Sequence, residues 1–317
     1  MKLLRIGSRG SKLALWQAEH IRERLLSECK VDAEIVVIKT SGDRFQAAAV
    51  AQLSGEVGGK GIFIKEIEDA LLDGRIDLAV HSMKDVPTDT PHGLCFPAVT
   101  KREDPRDCLM SRKGESLGGL PQGARVGTSS LRRQSQLRHY RADLRVADLR
   151  GNVDTRIRKL DAGEFEAILV AKAGLDRLGL HGKITEVIPP DIILPAVGQG
   201  ALAIESRESD TELRETLTLL DDEATRDAIT AERGLLAELE GGCQVPLGAW
   251  ARQENGLLRL DAAVLSADGS ECIRRSVAEK CQNPHDADLL GRRLARELLE
   301  AGADRLLRLA GRSVSGA

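Results

Sequence analysis

Two periods of apolar residues alternate along the first two thirds of the chain. Leu3 to Ile6 is a short apolar run, Gly7-Ser8-Arg9-Gly10 turns, and Ser11 stands where it can cap a helix whose Ala14, Ala18, Ile21 and Leu25 share one face. Ala33 to Ile38 predicts a second strand, Gly61 to Leu72 a second helix, and Ile76 to Val80 a third strand running into His81-Ser82-Met83-Lys84-Asp85-Val86-Pro87. Strands that alternate with helices predict an α/β fold built on a mainly parallel sheet.

The order then repeats. Ala124 to Val126 predicts a strand, Gly127-Thr128-Ser129-Ser130 a turn, and Leu131 onward an arginine-rich helix, so Gly127-Thr128 takes the place of Gly7-Ser8. A second echo sets Asp73-Gly74-Arg75-Ile76-Asp77-Leu78-Ala79-Val80 against Ala162-Gly163-Glu164-Phe165-Glu166-Ala167-Ile168-Leu169, each a helix end, a glycine, an acid and a strand. Two similar α/β lobes are the economical reading. Thr100 to Arg106 and Pro189 to Gly200, polar or marked by proline and glycine, predict the crossings between them.

After Asp221 the pattern changes. Asp222 to Leu239 spaces Ala224, Ala228, Ala231, Leu235 and Leu239 as one helix face that stops at a glycine pair. Strands at Leu257 to Val264 and Ile273 to Val277 and a helix from Ala287 to Ala301 complete a smaller α+β domain, with a disordered tail from Arg312. The predicted division is residues 1–99 with 200–220, residues 100–199, and residues 221–317.

Composition narrows the possibilities. A hydrophobic content of 42% supports a folded globular chain, and a net charge of −3 argues against a basic nucleic-acid or membrane binder. Aromatic residues are 2%, too few for base-stacking platforms. The six cysteines form no CxxC pair and the six histidines are dispersed, so neither a metal site nor a disulfide framework is predicted. With an N-terminus that enters structure at once and no apolar run of membrane-spanning length, the expectation is a cytoplasmic protein.

Ligands of open α/β sheets bind beyond the carboxyl ends of the strands. Those positions here carry Arg9, Ser11, Ser82, Lys84, Asp85, Thr128, Ser129, Ser130, Arg132, Arg133, Arg150 and Arg156. Cations and hydroxyls joined to helix N-termini suit a ligand with several carboxylates or phosphates. The absence of GxxxxGK[ST] and GxGxxG turns the balance towards carboxylates. Asp85 is the lone acid of the set, able either to neutralise Lys84 or to steady a positive charge on a ligand.

Cys243 has a different setting: Glu240-Gly241-Gly242-Cys243-Gln244-Val245-Pro246 offers the thiol on irregular backbone just past a helix C-terminus. The helix end disfavours a thiolate by roughly 0.3 to 1 kcal/mol. No histidine lies within forty residues to act as its base. A point of permanent attachment fits better than a protease-like nucleophile. Two readings stay open from the residues alone: an enzyme with a modified Cys243, and a two-lobed anion-binding sensor without chemistry.

Seven motifs in one order resemble the porphobilinogen deaminase family over nearly the whole chain. They are Arg5-Ile-Gly-Ser-Arg-Gly-Ser-Lys-Leu-Ala-Leu-Trp-Gln17, Gly58-Gly-Lys-Gly-Ile-Phe63, Ala79-Val-His-Ser-Met-Lys-Asp-Val-Pro87, Gly127-Thr-Ser-Ser-Leu-Arg-Arg-Gln134, Leu149-Arg-Gly-Asn-Val153, Leu194-Pro-Ala-Val-Gly-Gln-Gly200 and Glu240-Gly-Gly-Cys-Gln-Val-Pro246. The resemblance implies two periplasmic-binding-protein-like doubly wound lobes plus the smaller C-terminal domain. It also implies a dipyrromethane cofactor joined by a thioether to Cys243, and deamination and head-to-tail joining of four porphobilinogen molecules before water releases hydroxymethylbilane. By motif, Asp85 would hold pyrrole N–H groups and stabilise the azafulvene-like cation left by ammonia. Arg9, Ser11, Ser82, Lys84, Thr128, Ser129, Ser130, Arg132, Arg133, Arg150, Gly151 and Arg156 would bind the cofactor, Arg177 and Gln199 substrate, with Lys60 on a glycine-rich lid. The segment from Asp43 to Lys60 departs from the family pattern, being longer than its usual loop and lacking its proline. A monomer with porphobilinogen as its small-molecule partner is expected, with no metal, no nucleic acid and no membrane.

Overall fold

The computed structural model describes residues 3–39, 64–239 and 245–315. By its contacts the chain forms two compact units, Met1–Arg102 with Ala201–Arg226, and Glu103–Gly200 with Asp227–Ala317.

The first unit is built on a sheet of β1 (Leu4–Ser8), β2 (Ala33–Val37), β3 (Leu78–Ser82), β4 (Leu94–Val99) and β10 (Leu202–Arg207), in the order β2-β1-β3-β10-β4. Alternate residues of β3 face opposite ways, as the twofold repeat of a strand requires. Leu78 and Val80 pack with Ile6, Ile21 and Leu25 under α1 (Lys12–Arg24) and with Leu213 and Leu217 of α6 (Thr211–Thr218). Ala79 packs on the other side with Ile67 and Leu71 of α2 (Lys65–Leu72). Helices therefore cover both faces of the sheet, the doubly wound arrangement.

The second unit repeats this plan with β5 (Asp107–Ser111), β6 (Arg125–Gly127), β7 (Arg145–Ala147), β8 (Ala167–Ala171) and β9 (Glu186–Val187), in the order β7-β6-β8-β5-β9. Its helices are α3 (Leu131–Tyr140), α4 (Val153–Asp161) and α5 (Lys172–Arg177). Along β8, Leu169 joins the core with Leu137 of α3, and Ile168 and Val170 join the one with Ile157 and Leu160 of α4.

The sequence echo is a structural equivalence. Arg5 N donates to Asp77 Oδ2 at 2.9 Å, and Arg125 N donates to Glu166 Oε2 at 2.7 Å. In return Asp77 N donates to Arg5 O and Glu166 N to Arg125 O, both at 2.9 Å. Gly74 and Gly163 supply the left-handed turn before each acid, at φ +68° and +80°.

In each sheet four of the five strands run in one direction, as the alternation predicts, and a single strand opposes them. β1 and β6 are parallel to both neighbours, but β10 is antiparallel to β3 and β4, and β5 to β8 and β9. The antiparallel strand in each unit is the one next to a chain crossing. It enters its sheet from the other unit without the helical crossover that a parallel strand needs.

Also in the second unit, β11 (Leu247–Glu254), β12 (Leu257–Leu265) and β13 (Cys272–Glu279) make an antiparallel meander. Leu258 and Leu260 of this sheet pack on Leu235 of α7 (Glu223–Glu238), Leu290 and Leu294 of α8 (Pro284–Glu300) and Leu306 of α9 (Ala303–Ser315). The last helix runs through Ser315, whereas a disordered tail from Arg312 was expected. The helix predicted from Gly61 is described from Lys65. The strand β11 was not predicted.

Candidate active site

The parallel core of each sheet brings the predicted residues to one edge. In the first unit Ile6 pairs with Leu78 and Gly7 with Ala79, so β1 and β3 end side by side. Beyond β1, Ser11 caps α1, its Oγ accepting from Ala14 N at 3.3 Å, with the half-buried Arg9 two residues earlier. Beyond β3, Ser82 Oγ accepts from the buried Gln17 at 2.9 Å, and Met83–Asp85 forms one 3₁₀ turn that carries Lys84 and Asp85, both half-buried. Gln17, on α1, thus ties the two strand ends together.

In the second unit β6 pairs in parallel with β7 and β8, and the loops at that edge are stitched by hydroxyls. Ser129 Oγ accepts from Leu149 N at 3.0 Å, and Thr128 Oγ1 accepts from Ser130 N at 3.3 Å. The N-cap residues of α3 and α4, Ser130 and Asn152, make no side-chain capping bond. Gly151, at φ +113°, precedes α4, and its carbonyl accepts from Arg156 Nε at 2.8 Å. Arg150 is 66% exposed and lies 4.0 Å from Asp148.

The arginines that open α3 are placed otherwise. Arg132 and Arg133 are buried, with Nη atoms 2.6 and 2.7 Å from the two oxygens of Asp107, itself fully buried at the start of β5. Gln199 Nε2 donates to the same carboxylate at 2.8 Å, and Arg132 also reaches Leu194 O at 2.6 Å. Burial opposes the charge on Asp107, but the two guanidinium groups outweigh it and hold the carboxyl far below its ordinary range. Burial pushes Arg132 down, more than Asp107 pulls it up. A guanidinium starts so high that it remains a cation at neutral pH. The cluster therefore carries two buried positive charges against one negative. The Nε atoms of Arg132 and Arg133 are buried without a hydrogen-bond partner among the described residues.

Arg177 is buried likewise, with Nε 3.0 Å from Glu103 Oε1 and an Nη atom 2.8 Å from Gly200 O. Cys243 and Lys60 lie outside the described residues. The structure thus gathers Arg9, Ser11, Ser82, Lys84 and Asp85 at one sheet edge and Thr128, Ser129, Ser130, Arg150, Gly151 and Arg156 at the corresponding edge of the other unit. It sets Arg132, Arg133 and Gln199 on Asp107. Sequence reasoning missed Asp107, Gln17 and Glu103. For Asp107 a signal existed, an acid opening the apolar run Asp107-Cys108-Leu109-Met110, but it sat against a polar crossing. Among the described residues no group of histidines, cysteines and acids could hold a metal ion, and no helix is long and apolar enough to cross a membrane.

Paired doubly wound units whose strand ends present cations, hydroxyls and uncapped helix starts define a class: α/β proteins that receive ligands rich in negative groups. The family models are more specific. Residues 4–215 match "Porphobilinogen deaminase, dipyromethane cofactor binding domain" and residues 227–300 match "Porphobilinogen deaminase, C-terminal domain". The chain belongs to the porphobilinogen deaminase family. It is 51% identical to a porphobilinogen deaminase of Maridesulfovibrio salexigens, over 97% of this chain and 98% of that one. It is 49% identical to one of Syntrophobacter fumaroxidans, over 96% and 97%. Among solved structures, an ABC transporter periplasmic substrate-binding protein from Coxiella burnetii is 14% identical with a TM-score of 0.43, over 69% of this chain and 92% of that one.

Proposed function

We propose that the chain is a hydroxymethylbilane synthase, a transferase that deaminates four porphobilinogen molecules in turn, joins them head to tail and releases the linear tetrapyrrole with water. Asp85 carries the chemistry, as the one acid among the cations and hydroxyls predicted at the strand ends. When ammonia leaves, it takes the electrons of its C–N bond. The positive charge left on the substrate ring and its N–H is met by the Asp85 carboxylate, held on a short turn at the end of β3. Each ring brings an acetate and a propionate. Arg9, Ser11, Ser82 and Lys84 in the first unit and Thr128, Ser129, Ser130, Arg150, Gly151 and Arg156 in the second would receive them, each charge-assisted bond contributing about 1.5 to 3 kcal/mol.

The residues present fit a dipyrromethane with its carboxylates: the Asp107 cluster has a surplus positive charge, and two buried guanidinium Nε donors have no acceptor among the described residues. Cys243 would hold the group by a thioether, with Arg132 and Arg133 turned towards its carboxylates and Arg177, Gln199 and Lys60 serving substrate. When bound, the dipyrromethane supplies the terminal pyrrole carbon to which the incoming unit is joined. The reading takes the chain as a cytoplasmic monomer of three domains, residues 1–99 with 200–220, 100–199 and 221–317, a division supported by its three separate sheets.

Mass spectrometry of the intact purified protein tests it. An adduct equal to two linked pyrroles, abolished in Cys243→Ser, is expected. An unmodified mass in protein that turns over porphobilinogen refutes it.

A further inference from the structure

A buried acid and base stand directly behind the Asp85 turn, and the chemistry just described does not use them. His81 Nε2 lies 2.9 Å from Glu205 Oε2, with the two side chains 5% and 0% exposed. The second oxygen, Glu205 Oε1, is buried without a hydrogen-bond partner among the described residues. We infer that His81, through this pair with Glu205, is the positioning residue that sets Asp85 at the reacting ring; the inference rests on the function proposed above.

Strand register links this pair to Asp85. His81 on β3 is opposite Ala203 on β10, and Ala79 is opposite Glu205, so His81 and Glu205 are diagonal neighbours on one face. The β3–β10 ladder continues to the turn itself. Leu202 pairs with Ser82, Met83 N donates to Ala201 O at 3.0 Å, and Val86 N closes the turn on Met83 O at 3.1 Å. The position of Asp85 therefore follows from the register of these two strands.

A slip by one residue would turn every side chain of β3 to the other face and move the turn by about 3.3 Å. It would also leave Glu205 buried with no partner, among the costliest defects a core can hold. Glu68 of α2 adds a second carboxyl to this environment, pushed up by burial and by the charge of Glu205. His81 is thus the hydrogen-bonding partner that makes one register admissible. Apolar residues at both positions would stabilise the sheet as well without discriminating between registers in this way.

The test is steady-state formation of hydroxymethylbilane by the full-length, cofactor-bearing enzyme, with rates expressed per folded molecule from a parallel unfolding measurement. His81→Ala and Glu205→Gln should lower kcat by roughly tenfold to a hundredfold, the loss expected of a reacting group displaced by about 1 Å. KM for porphobilinogen should change by less than about threefold, since of the proposed carboxylate-binding groups only Ser82 and Lys84 share this strand end and the others lie off it. His81→Gln, which keeps a donor near the Nε2 position, should recover most of the rate. If His81→Ala does not fold, Glu205→Gln and His81→Gln carry the comparison. The inference is overturned if Glu205→Gln, and His81→Ala where it folds, keep kcat within about threefold of wild type, or if KM rises while kcat is unchanged. A wild-type chain that forms no hydroxymethylbilane would overturn the proposed function itself, a different result from an active wild type with indifferent variants.

Discussion

Asp107 is the residue whose removal should be felt most widely. It is completely buried, takes Arg132 at 2.6 Å and Arg133 at 2.7 Å, and accepts from Gln199 at 2.8 Å. Asp107→Asn keeps the shape but leaves two buried guanidinium groups without a counter-charge. Breaking one buried pair by removing a partner costs about 3 to 5 kcal/mol, and two cations share this partner, so the loss should lie at or above the upper figure. That is a large fraction of the roughly 5 to 15 kcal/mol by which a domain is stable.

Urea unfolding of the variant and wild type, followed by far-UV circular dichroism across a pH series, reads both the size and the origin of this loss. The folded-state carboxyl is depressed, so below the unfolded value near 3.9 the unfolded chain binds the extra proton. The contribution of Asp107 is therefore complete above about pH 4 and is lost as pH falls towards the folded-state value. Wild type should lose up to about 1.4 kcal/mol per pH unit in that window through this group, and Asp107→Asn should lack that part of the slope. A triple variant, Asp107→Leu with Arg132→Met and Arg133→Met, should recover stability, because a buried charge cluster replaced whole by apolar groups is often neutral. An Asp107→Asn protein with the wild-type midpoint and the wild-type acid slope would refute the charge-balance reasoning.

Asp85→Ala should fold as wild type and lose about 10² to 10⁴ in turnover; retention of more than about a tenth of the rate would remove it from the chemistry. Arg150→Leu, at a side chain 66% exposed, should leave unfolding unchanged and raise KM for porphobilinogen, and an unchanged KM would take Arg150 out of the carboxylate site. Gly151→Ala should destabilise the second unit, because at φ +113° a Cβ would come within 2.9 Å of the Thr155 side chain; a Tm equal to wild type would show that the turn rearranges freely.

How far the fold could be read ahead of the structure depended on whether the signal was local. Ser11 capping α1, the apolar face of Ala18, Ile21 and Leu25, and the paired motifs at Asp73–Val80 and Ala162–Leu169 each need only neighbours in sequence. The antiparallel strands β5 and β10 do not. Their direction is set by where the chain crosses between units, which no short pattern records. The third sheet carries a local signal of its own. Asn255-Gly256 joins β11 to β12 as a two-residue turn, with φ +54° and +76°, the strongest short-range mark of a hairpin. On the strand before it, the Arg252 guanidinium stacks over the Trp250 ring at 4.2 Å.

The candidate site divides along the same line. Arg9, Ser11, Ser82, Lys84, Asp85, Thr128, Ser129 and Ser130 were visible because the end of a predicted strand is a place one can count to. Arg132 and Arg133 were visible as cations, but a sequence gives their charge without their burial, and exposed ligand-binding arginines looked the same as buried ones. Only the fold brings Asp107, some twenty-five residues upstream, under both guanidinium groups, and an acid at the head of an apolar run does not name the cations it will meet. The surplus charge of the cluster matters more than either arginine alone. One carboxylate is enough to let the pair be buried, and too little to neutralise it. A protein that kept this arrangement only for stability would do better with a second acid or with none. The unbalanced charge, and two Nε donors with no acceptor among the described residues, are what the carboxylate site proposed above would need before its ligand arrives.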